Sequence, residues 1–414
     1  AEYEENFRAV FYESVLSRLR SNAPVLAELS GGMDSSSIVC VADAVGAAGA
    51  AETSRLDTIS YYDDSEPNWD ERPYFTKVEE KRGRIGCHIR VNSVESFKFD
   101  FPMNRFAATP SSGVCSSETA KQSAACMRVQ GNRVLLSGIG GDEVMGGVPT
   151  PVPELCNLLA RAKFRALVRQ LKVWALERRT PWVHLLFETA AGFLPSAPFG
   201  APEHMRSAPW LRRNFVKCYQ PALTGYPTRL KLFGPLPSFQ ENLATLDLLR
   251  RQLHCDALSS APTYEKRYPY LDRGLLEFLY AVPREQLVRP GQRRSLMRRA
   301  LVGIVPNELL NRKRKAFVAS VPAAVLTEWV RALRAPAEIT GSAFGIVETE
   351  QLLEACDQLR RGQLVPIVPL MRTFLVEAWL KSLYEQRIST PSRKGEHRRS
   401  LSLPSGKRLT GQIP

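Results

Sequence analysis

The sequence lacks several patterns by which common classes of protein are recognised. No apolar run reaches the ~18 residues that a membrane-spanning helix needs. The eight cysteines include no C-x-x-C pair, and the five histidines are scattered without the spacing of a zinc site. The G-x-x-x-x-G-K-[ST] pattern of a γ-phosphate-cleaving P-loop is also missing. These absences argue against a transmembrane protein, a zinc protein and a P-loop NTPase.

The surroundings of the cysteines and the polar N-terminal residues indicate the cellular compartment of the protein. Several cysteines lie in apolar stretches, as Cys40 does between Val39 and Val41, which is typical of buried free thiols in a reducing environment. Residues 1–5, AEYEE, are acidic and polar and do not resemble a signal peptide. We therefore expect a cytoplasmic protein with no membrane partner.

The formal net charge is +14, and much of it lies in two segments. Residues 387–414 hold seven Lys/Arg and one Glu and are rich in Ser, Pro and Gly, so we predict a disordered basic tail. Residues 289–315 hold nine Lys/Arg against Glu308 alone. Basic surplus is compatible with nucleic acid binding, but no aromatic-interleaved motif supports it. A phosphorylated or acidic small molecule explains the second block equally well.

Strand and helix patterns alternate through the first 150 residues. Helices are predicted at 3–20, 35–45, 69–81 and 120–129, and strands at 24–29, 56–62, 86–91 and 133–136. This alternation predicts a parallel sheet with helices on both faces, in which ligands bind beyond the C-terminal ends of the strands. Ser30 and Ser137 both fall at that end.

The pattern changes near residue 150, where Pro149, Pro151 and Pro153 interrupt the chain. Helical patterns then dominate, including 155–177, 182–193, 240–258, 323–333 and 366–384, and no series of strands follows. We predict an α/β nucleotide-binding core at 1–150, a mainly helical region at 151–386 that completes the site, and the tail at 387–414.

The first motif is LSGGMDSSS at residues 29–37, between a predicted strand and a predicted helix. Such a turn presents backbone N–H groups, hydroxyls and the positive end of a helix dipole to one point, which suits a polyphosphate. The Asp34 carboxylate belongs beside phosphates only if Mg²⁺ lies between them. The alternative is a plain Ser/Gly turn that caps a helix.

The second motif is LLSGIGGDEVMGG at residues 135–147, which again places Ser-Gly after a strand. Glycines let backbone approach a ligand closely. Asp34 and Asp142, from two strand ends, are positioned to hold one Mg²⁺ between them. The alternative is a glycine-rich hairpin with exposed acids.

Two further motifs are weak when taken singly. One is YEKRYPYLD at residues 264–272, and the other is PNELLNRKRKAF at residues 306–317, preceded by Arg298 and Arg299. Glu265 alone reads equally as a surface acid, and Lys315 as one more solvated cation.

Together, and in this order, the four motifs resemble the synthetase domain of the asparagine synthetase family, over roughly residues 5–385. They match its SGG-x-D-S-S loop, S-G-x-G-x-D-E block, E-x-R-x-P-[FY]-L-D block and R-x-x-K-x-F region. The resemblance implies a five-stranded parallel sheet of the adenine nucleotide alpha hydrolase type. It implies that a carboxylate attacks the α-phosphorus of ATP, giving an acyl adenylate and pyrophosphate, and that an amine then expels AMP.

The resemblance also assigns residues. It implies Mg²⁺ on Asp34 and Asp142, and charge stabilisation at phosphorus by Lys315, with Lys313 and Arg314 as competitors for that role. The implied nucleotide-binding set is Leu29, Ser30, Gly31, Gly32, Asp34, Ser35, Ser36, Ser60, Gly138 and Asp142.

One departure bears on the acceptor. Asparagine synthetases carry Glu at the position of Ile139, and an isoleucine cannot handle protons around incoming ammonia. β-Lactam synthetases and lasso-peptide cyclases also alter this position, and their pattern makes Glu265 the general base here. We therefore expect a peptide macrocyclase, with a precursor peptide and a maturation protease as partners.

Other functions stay open. One is an asparagine synthetase whose glutaminase domain is absent from this chain, which begins at Ala1. Another is a non-catalytic basic protein that binds RNA or a partner, although Asp34, Asp142 and Lys315 argue against it. A tRNA-modifying ATP pyrophosphatase is less favoured, because it would bring a catalytic cysteine pair or an RNA-binding module.

Overall fold

The computed structural model describes residues 1–50, 55–64, 70–91, 110, 118–147, 150–194, 207–224, 230–257, 264–312 and 340–385. The strands are Val25–Glu28 (β1), Leu56–Tyr62 (β2), Cys87–Arg90 (β3), Val134–Leu136 (β4) and Glu265–Arg267 (β5). The helices before β5 are Glu2–Arg18 (α1), Met33–Ala47 (α2), Arg72–Arg82 (α3), Glu118–Gln130 (α4), Gly141–Val144 (α5), Val152–Ala160 (α6), Phe164–Arg178 (α7), Trp182–Ala191 (α8), Arg213–Thr224 (α9) and Pro237–Ala257 (α10). After β5 come a 3₁₀ turn, Pro269–Leu271, and Arg273–Ala281 (α11), Arg284–Leu287 (α12), Ser295–Ala300 (α13), Asn307–Leu310 (α14), Thr340–Ala343 (α15), Thr349–Arg360 (α16) and Ile367–Glu385 (α17).

The five strands form one parallel sheet in the order β3-β2-β1-β4-β5. Val25 of β1 pairs with Leu56 of β2 on one side and with Val134 of β4 on the other. The predicted α/β class and five-stranded parallel sheet are confirmed. Because all strands run the same way, the segments that follow β1 and β4 both leave the sheet at the C-terminal ends of the strands.

Side-chain alternation along β1 divides the sheet into two faces. Val25 and Ala27 join the large core beneath α1 and α2, whereas Leu26 packs with Met127 of α4 in a smaller cluster. Helices therefore cover both faces, as predicted. The large core continues through α6, α7 and α8, and a separate cluster around Trp210, Leu352 and Phe374 holds the last helices together.

One predicted element differs from the structure, and two lie outside its described residues. The helical pattern at 155–177 is divided into α6 and α7 by a turn in which Ala162 takes a left-handed φ of 53°. Apolar periodicity does not reveal such a break, because one residue in that conformation leaves the apolar pattern intact. The predicted helix at 323–333 and the predicted tail at 387–414 lie outside the described residues.

In the described part of the chain, no helix combines the length and apolar character needed to cross a bilayer. The cysteines that the structure describes are free thiols, and Cys40, Cys156 and Cys356 are buried. Burial raises the pKa of Cys40 and Cys156 to about 12, so both thiols stay protonated at neutral pH. The prediction of free, buried thiols is confirmed for these three.

Glu377 makes the stability of the C-terminal helices dependent on pH. Its carboxylate is 5% exposed and accepts the backbone N–H of Gly341 at 2.8 Å. Burial raises its pKa from 4.5 to about 7, against the opposing effect of the Gly341 and Thr340 N–H groups. The folded state therefore binds this proton more tightly than the unfolded state, and stability falls as pH rises from about 4.5 through 7.

We expect Glu377→Gln to be more stable than wild type at pH 8, by up to about 3 kcal/mol, and similar to it at pH 5. Urea unfolding at the two pH values measures this difference, with the exposed Glu354→Gln as control. A difference between wild type and Glu377→Gln that does not change with pH would contradict the assignment.

Candidate active site

The first glycine-rich motif forms the turn between β1 and α2. Gly31 has a φ of +68°, and a Cβ there would lie 3.0 Å from the Glu71 carbonyl oxygen, so glycine is required. The Ser30 N–H donates to Ser35 Oγ at 3.0 Å, and the two hydroxyls also lie 3.0 Å apart. The turn thus gathers amide and hydroxyl groups at the N-terminus of α2, as an anion site requires.

The second motif leaves β4 and contacts the first directly. A Cβ on Gly138 would lie 3.2 Å from the Ser35 nitrogen, and a Cβ on Gly141 would lie 2.5 Å from Asp34 Cγ. The two turns therefore touch through glycines, and side chains at those positions would force them apart. The structure brings the two motifs together.

The third motif packs against both turns. The Tyr270 hydroxyl donates to the Asp34 carbonyl oxygen at 3.1 Å, and its ring stacks on Phe11 with centroids 5.1 Å apart. A Cβ on Gly140, whose φ is +96°, would lie 2.6 Å from Leu271. Tyr270 therefore contacts the backbone of the first turn, and Leu271 contacts that of the second.

Asp34 and Asp142 meet on one cation, Arg294. Its Nη2 donates to Asp34 Oδ2 at 2.6 Å and also to Asp142 Oδ1, and its side chain is only 8% exposed. Arg294 precedes α13 and has a left-handed φ of 50°. Sequence reasoning missed this residue, because nothing in the cationic block distinguishes Arg294 from Arg293.

A cavity of about 400 Å³ opens beside the two turns. Its walls are Glu28, Leu29, Ser30, Gly32, Asp34, Ser35, Tyr61, Ser137, Gly138, Ile139, Asp142 and Glu143. A second cavity of about 270 Å³ shares Asp142 and Glu143 with it and is walled by Glu241 and Arg284, from α10 and α12. Most of the predicted nucleotide-binding residues therefore line one space, with room for a second ligand next to it.

Three predicted residues lie away from this cavity wall. Gly31 sits behind it, against Tyr74 and Glu71. Ser36 and Ser60 are fully buried and do not line the cavity. Strand alternation explains Ser60, because its neighbour Tyr61 takes the cavity face. Ser36 lies inside the first turn of α2, where helical periodicity directs it toward the core.

Glu265, the predicted general base, is not brought to the cavity. Both oxygens of its carboxylate accept from Arg267, at 2.9 and 2.8 Å, and the side chain is 63% exposed. The hydrogen bond from Arg267 lowers the pKa of Glu265, which makes it a weaker base. Arg267 also donates to the carbonyls of Arg18 and Arg20, which places this pair on the α1 side of the sheet.

Glu28 and Lys266 occupy the cavity side of the same strand ends. Ser137 Oγ donates to Glu28 Oε2 at 2.6 Å, and Lys266 Nζ lies 3.3 Å from Glu28 Oε1. Neither is predicted as a site residue: Glu28 lies in a run at 24–29 that predicts a buried strand, and Lys266 lies between the motif residues Glu265 and Arg267. A glutamate inside that run is the signal that could have found the cluster.

Lys315, with Lys313 and Arg314, lies outside the described residues. The residue just before them, Arg312, donates to the Gly31 carbonyl at 3.0 Å and to both oxygens of Glu71. Its guanidinium also stacks on Tyr74, 3.6 Å from the ring centroid. Arg312 therefore anchors the fourth motif beside the first glycine-rich turn.

Comparison with known proteins decides the family. The family model described as asparagine synthase matches residues 6–381. The chain belongs to the asparagine synthase family. Synthetases of this family are ATP-dependent ligases, and the match covers all four motifs.

Individual relatives are distant. Asparagine synthetase [glutamine-hydrolyzing] 1 of Bacillus subtilis is 26% identical over 350 residues, 78% of this chain and 51% of the relative. Asparagine synthetase [glutamine-hydrolyzing] 3 of the same organism is 23% identical over 390 residues, which are 84% of this chain and 54% of the relative. A putative asparagine synthetase [glutamine-hydrolyzing] 2 of Methanocaldococcus jannaschii is 32% identical over 154 residues, which are 35% of this chain and 27% of the relative. The chain spans about half the length of the two Bacillus relatives.

Proposed function

We propose that this chain is an ATP-dependent carbon–nitrogen ligase that adenylates a carboxylate, releases pyrophosphate and transfers the acyl group to an amine. The observation that carries the proposal is the meeting of the two glycine-rich turns, with Asp34 and Asp142 on one shared cation. Membership of the asparagine synthase family supports ATP as the energy source.

The residues at the cavity fit the parts of this reaction. The Gly32 backbone N–H, with the Ser30 and Ser35 hydroxyls, would bind pyrophosphate oxygens at the N-terminus of α2. Gly138 lines the same cavity, and because it has no side chain its backbone packs directly against Ser35 beside the proposed phosphate site. We assign the stabilisation of negative charge at phosphorus to Lys315, which follows the anchored Arg312.

Asp34 and Asp142 would hold Mg²⁺. Their donor set fits, because two carboxylates that already share one cation present hard oxygen ligands to a common point. Among the described residues no group of three or more His, Cys, Asp or Glu side chains forms a metal site, so phosphate oxygens would complete the coordination. When bound, Mg²⁺ would neutralise phosphate charge during adenylation.

We further propose that the acceptor is an amine other than ammonia, and that the enzyme is a peptide macrocyclase. Ile139 lines the cavity where asparagine synthetases have Glu, so that side chain moves no proton. The adjoining cavity of about 270 Å³, which shares Asp142 and Glu143, offers space for a larger amine. A precursor peptide and a protease would be the partners, in the cytoplasm.

A specific observation favours a second candidate. Both Bacillus relatives are named as glutamine-hydrolysing asparagine synthetases, and each matches most of this chain. The alternative is therefore an asparagine synthetase that receives ammonia from a glutaminase domain outside this chain.

Pyrophosphate release with a panel of carboxylates separates these functions. The panel contains aspartate with ammonia, glutamate with ammonia, and peptides with a free N-terminal amine and an internal Asp or Glu. We expect release with a peptide, and a product lighter by one water in the mass spectrum. Asparagine formed as the main product would establish the alternative. No release with any member, together with salt-dependent RNA binding, would indicate a non-catalytic binding protein.

A further inference from the structure

Amide formation requires a proton acceptor, because an amine is protonated at neutral pH and cannot attack until it loses a proton. Neither side chain that the family pattern offers is at the cavity to do this: position 139 is isoleucine, and Glu265 is held by Arg267 on the other face of the sheet. Of the carboxylates that do line the cavity, Asp34 and Asp142 are engaged with Arg294. Among the carboxylates that the structure describes at the cavity, Glu28 and Glu143 remain, and of these two Glu28 is fixed by other side chains on both oxygens.

Glu28 lies at the end of β1, immediately before the first glycine-rich turn. Its Oε2 accepts from Ser137 Oγ at 2.6 Å, and the Ile139 N–H donates to that same hydroxyl at 3.5 Å. The Glu28 carboxylate is thus one hydroxyl away from the backbone of residue 139. It is 28% exposed, so it is held in place and still reachable from the cavity.

Lys266 fixes the other oxygen of Glu28. It projects from β5 to the cavity side, whereas its neighbours Glu265 and Arg267 project to the α1 side, as strand alternation requires. Burial by itself lowers the pKa of Lys266, but the Glu28 carboxylate, together with Tyr268 and Tyr264, outweighs burial and leaves that pKa raised. The Lys266 ammonium therefore fixes the orientation of the Glu28 carboxylate at the cavity.

We propose that Glu28 is the catalytic residue that accepts the proton of the attacking amine, in place of the glutamate missing at position 139, with Lys266 and Ser137 as its positioning residues. This inference rests on the proposed ligase function.

In this step the protonated amine first gives one proton to the Glu28 carboxylate. The free amine nitrogen then forms a bond to the acyl carbon of the adenylate, and its second proton passes to the phosphate of the departing AMP. The bond between the acyl carbon and the AMP phosphate oxygen breaks, and its electron pair leaves with AMP. Glu28 then releases the proton to solvent, and the carboxylate is restored.

Glu28→Gln tests the inference, because it keeps the shape and removes the base. Pyrophosphate release and amide formation are measured separately, with the member of the carboxylate panel that turns over fastest. We expect pyrophosphate release within about threefold of wild type and amide formation lower by at least about 100-fold. Hydroxylamine, which is largely unprotonated at neutral pH, should restore product as the hydroxamate, since it needs no base.

Three comparisons make the result interpretable. Glu28→Asp keeps a carboxylate and should form amide faster than Glu28→Gln, which also serves if the glutamine variant is unstable. Glu265→Gln tests the competing base on β5, which β4 separates from β1, and we expect it to retain amide formation. Glu118→Gln, exposed on α4, is the neutral control.

Amide formation at the wild-type rate in Glu28→Gln would overturn the inference. A parallel loss of pyrophosphate release and amide formation without hydroxylamine rescue would also overturn it, since Glu28 would then act in adenylation or folding. If wild type releases no pyrophosphate with any carboxylate, the ligase function itself fails, and this inference fails with it.

Discussion

Asp34→Asn is expected to lower the rate of pyrophosphate release at least about 100-fold while the protein remains folded. The asparagine keeps a carbonyl oxygen for Arg294 but loses the charge that we assign to magnesium binding. Asp142 would still pair with Arg294, so the two turns would stay together. The measurement is pyrophosphate release from ATP with the fastest carboxylate, alongside a thermal melt.

The control for Asp34 is Asp357→Asn, an exposed aspartate of α16 that pairs locally with Arg360. It should release pyrophosphate at the wild-type rate. Unchanged turnover in Asp34→Asn would remove the first turn from the reaction, whatever the fate of the other assignments.

Glu71→Ala is expected to reduce the free energy of unfolding by about 3–5 kcal/mol. Glu71 is 1% exposed and Arg312 is 8% exposed, and the two form an ion pair with contacts to both carboxylate oxygens. Removing the carboxylate leaves a buried guanidinium with less compensation than its desolvation requires. Urea unfolding at pH 7 measures the loss.

The matched control lies on α3. Glu80→Ala removes one partner of the exposed Lys77–Glu80 pair and should cost less than about 1 kcal/mol. Equal losses in the two variants would show that the Glu71–Arg312 pair is no more important than a surface pair. It would then not anchor the fourth motif to the first turn.

The sheet was predictable because four of its strand patterns alternate with helical patterns along the chain. β5 was not predicted as a strand, because Glu265–Arg267 consists of three charged residues, and an edge strand of that kind carries no apolar pattern. The same segment continues into the 3₁₀ turn and Asp272, which caps α11 by accepting the Leu275 N–H at 3.1 Å. Its sequence matches a family motif, whereas local propensity alone does not predict its structure.

The meeting of the two turns was predictable from topology, since the C-terminal ends of parallel strands lie on one side of the sheet. The face of the sheet on which each side chain lies was not predictable from the sequence. Ser60 and Tyr61 lie on opposite faces of the sheet, as do Glu265 and Lys266, because successive side chains of a strand alternate. A sequence motif identifies such residues but does not say which face each side chain takes. Arg294 joins residues 260 and 152 positions away in the chain, and no local pattern encodes such a contact.

A crystal structure with Mg²⁺ and α,β-methylene-ATP, which cannot be cleaved between its α and β phosphates, would show whether both glycine-rich turns bind one metal–nucleotide complex. We predict phosphates at Ser30, Gly32 and Ser35, a metal held by Asp34 and Asp142, and Arg294 displaced from at least one of the two carboxylates. A nucleotide bound elsewhere, with Arg294 still bridging Asp34 and Asp142, would contradict the account.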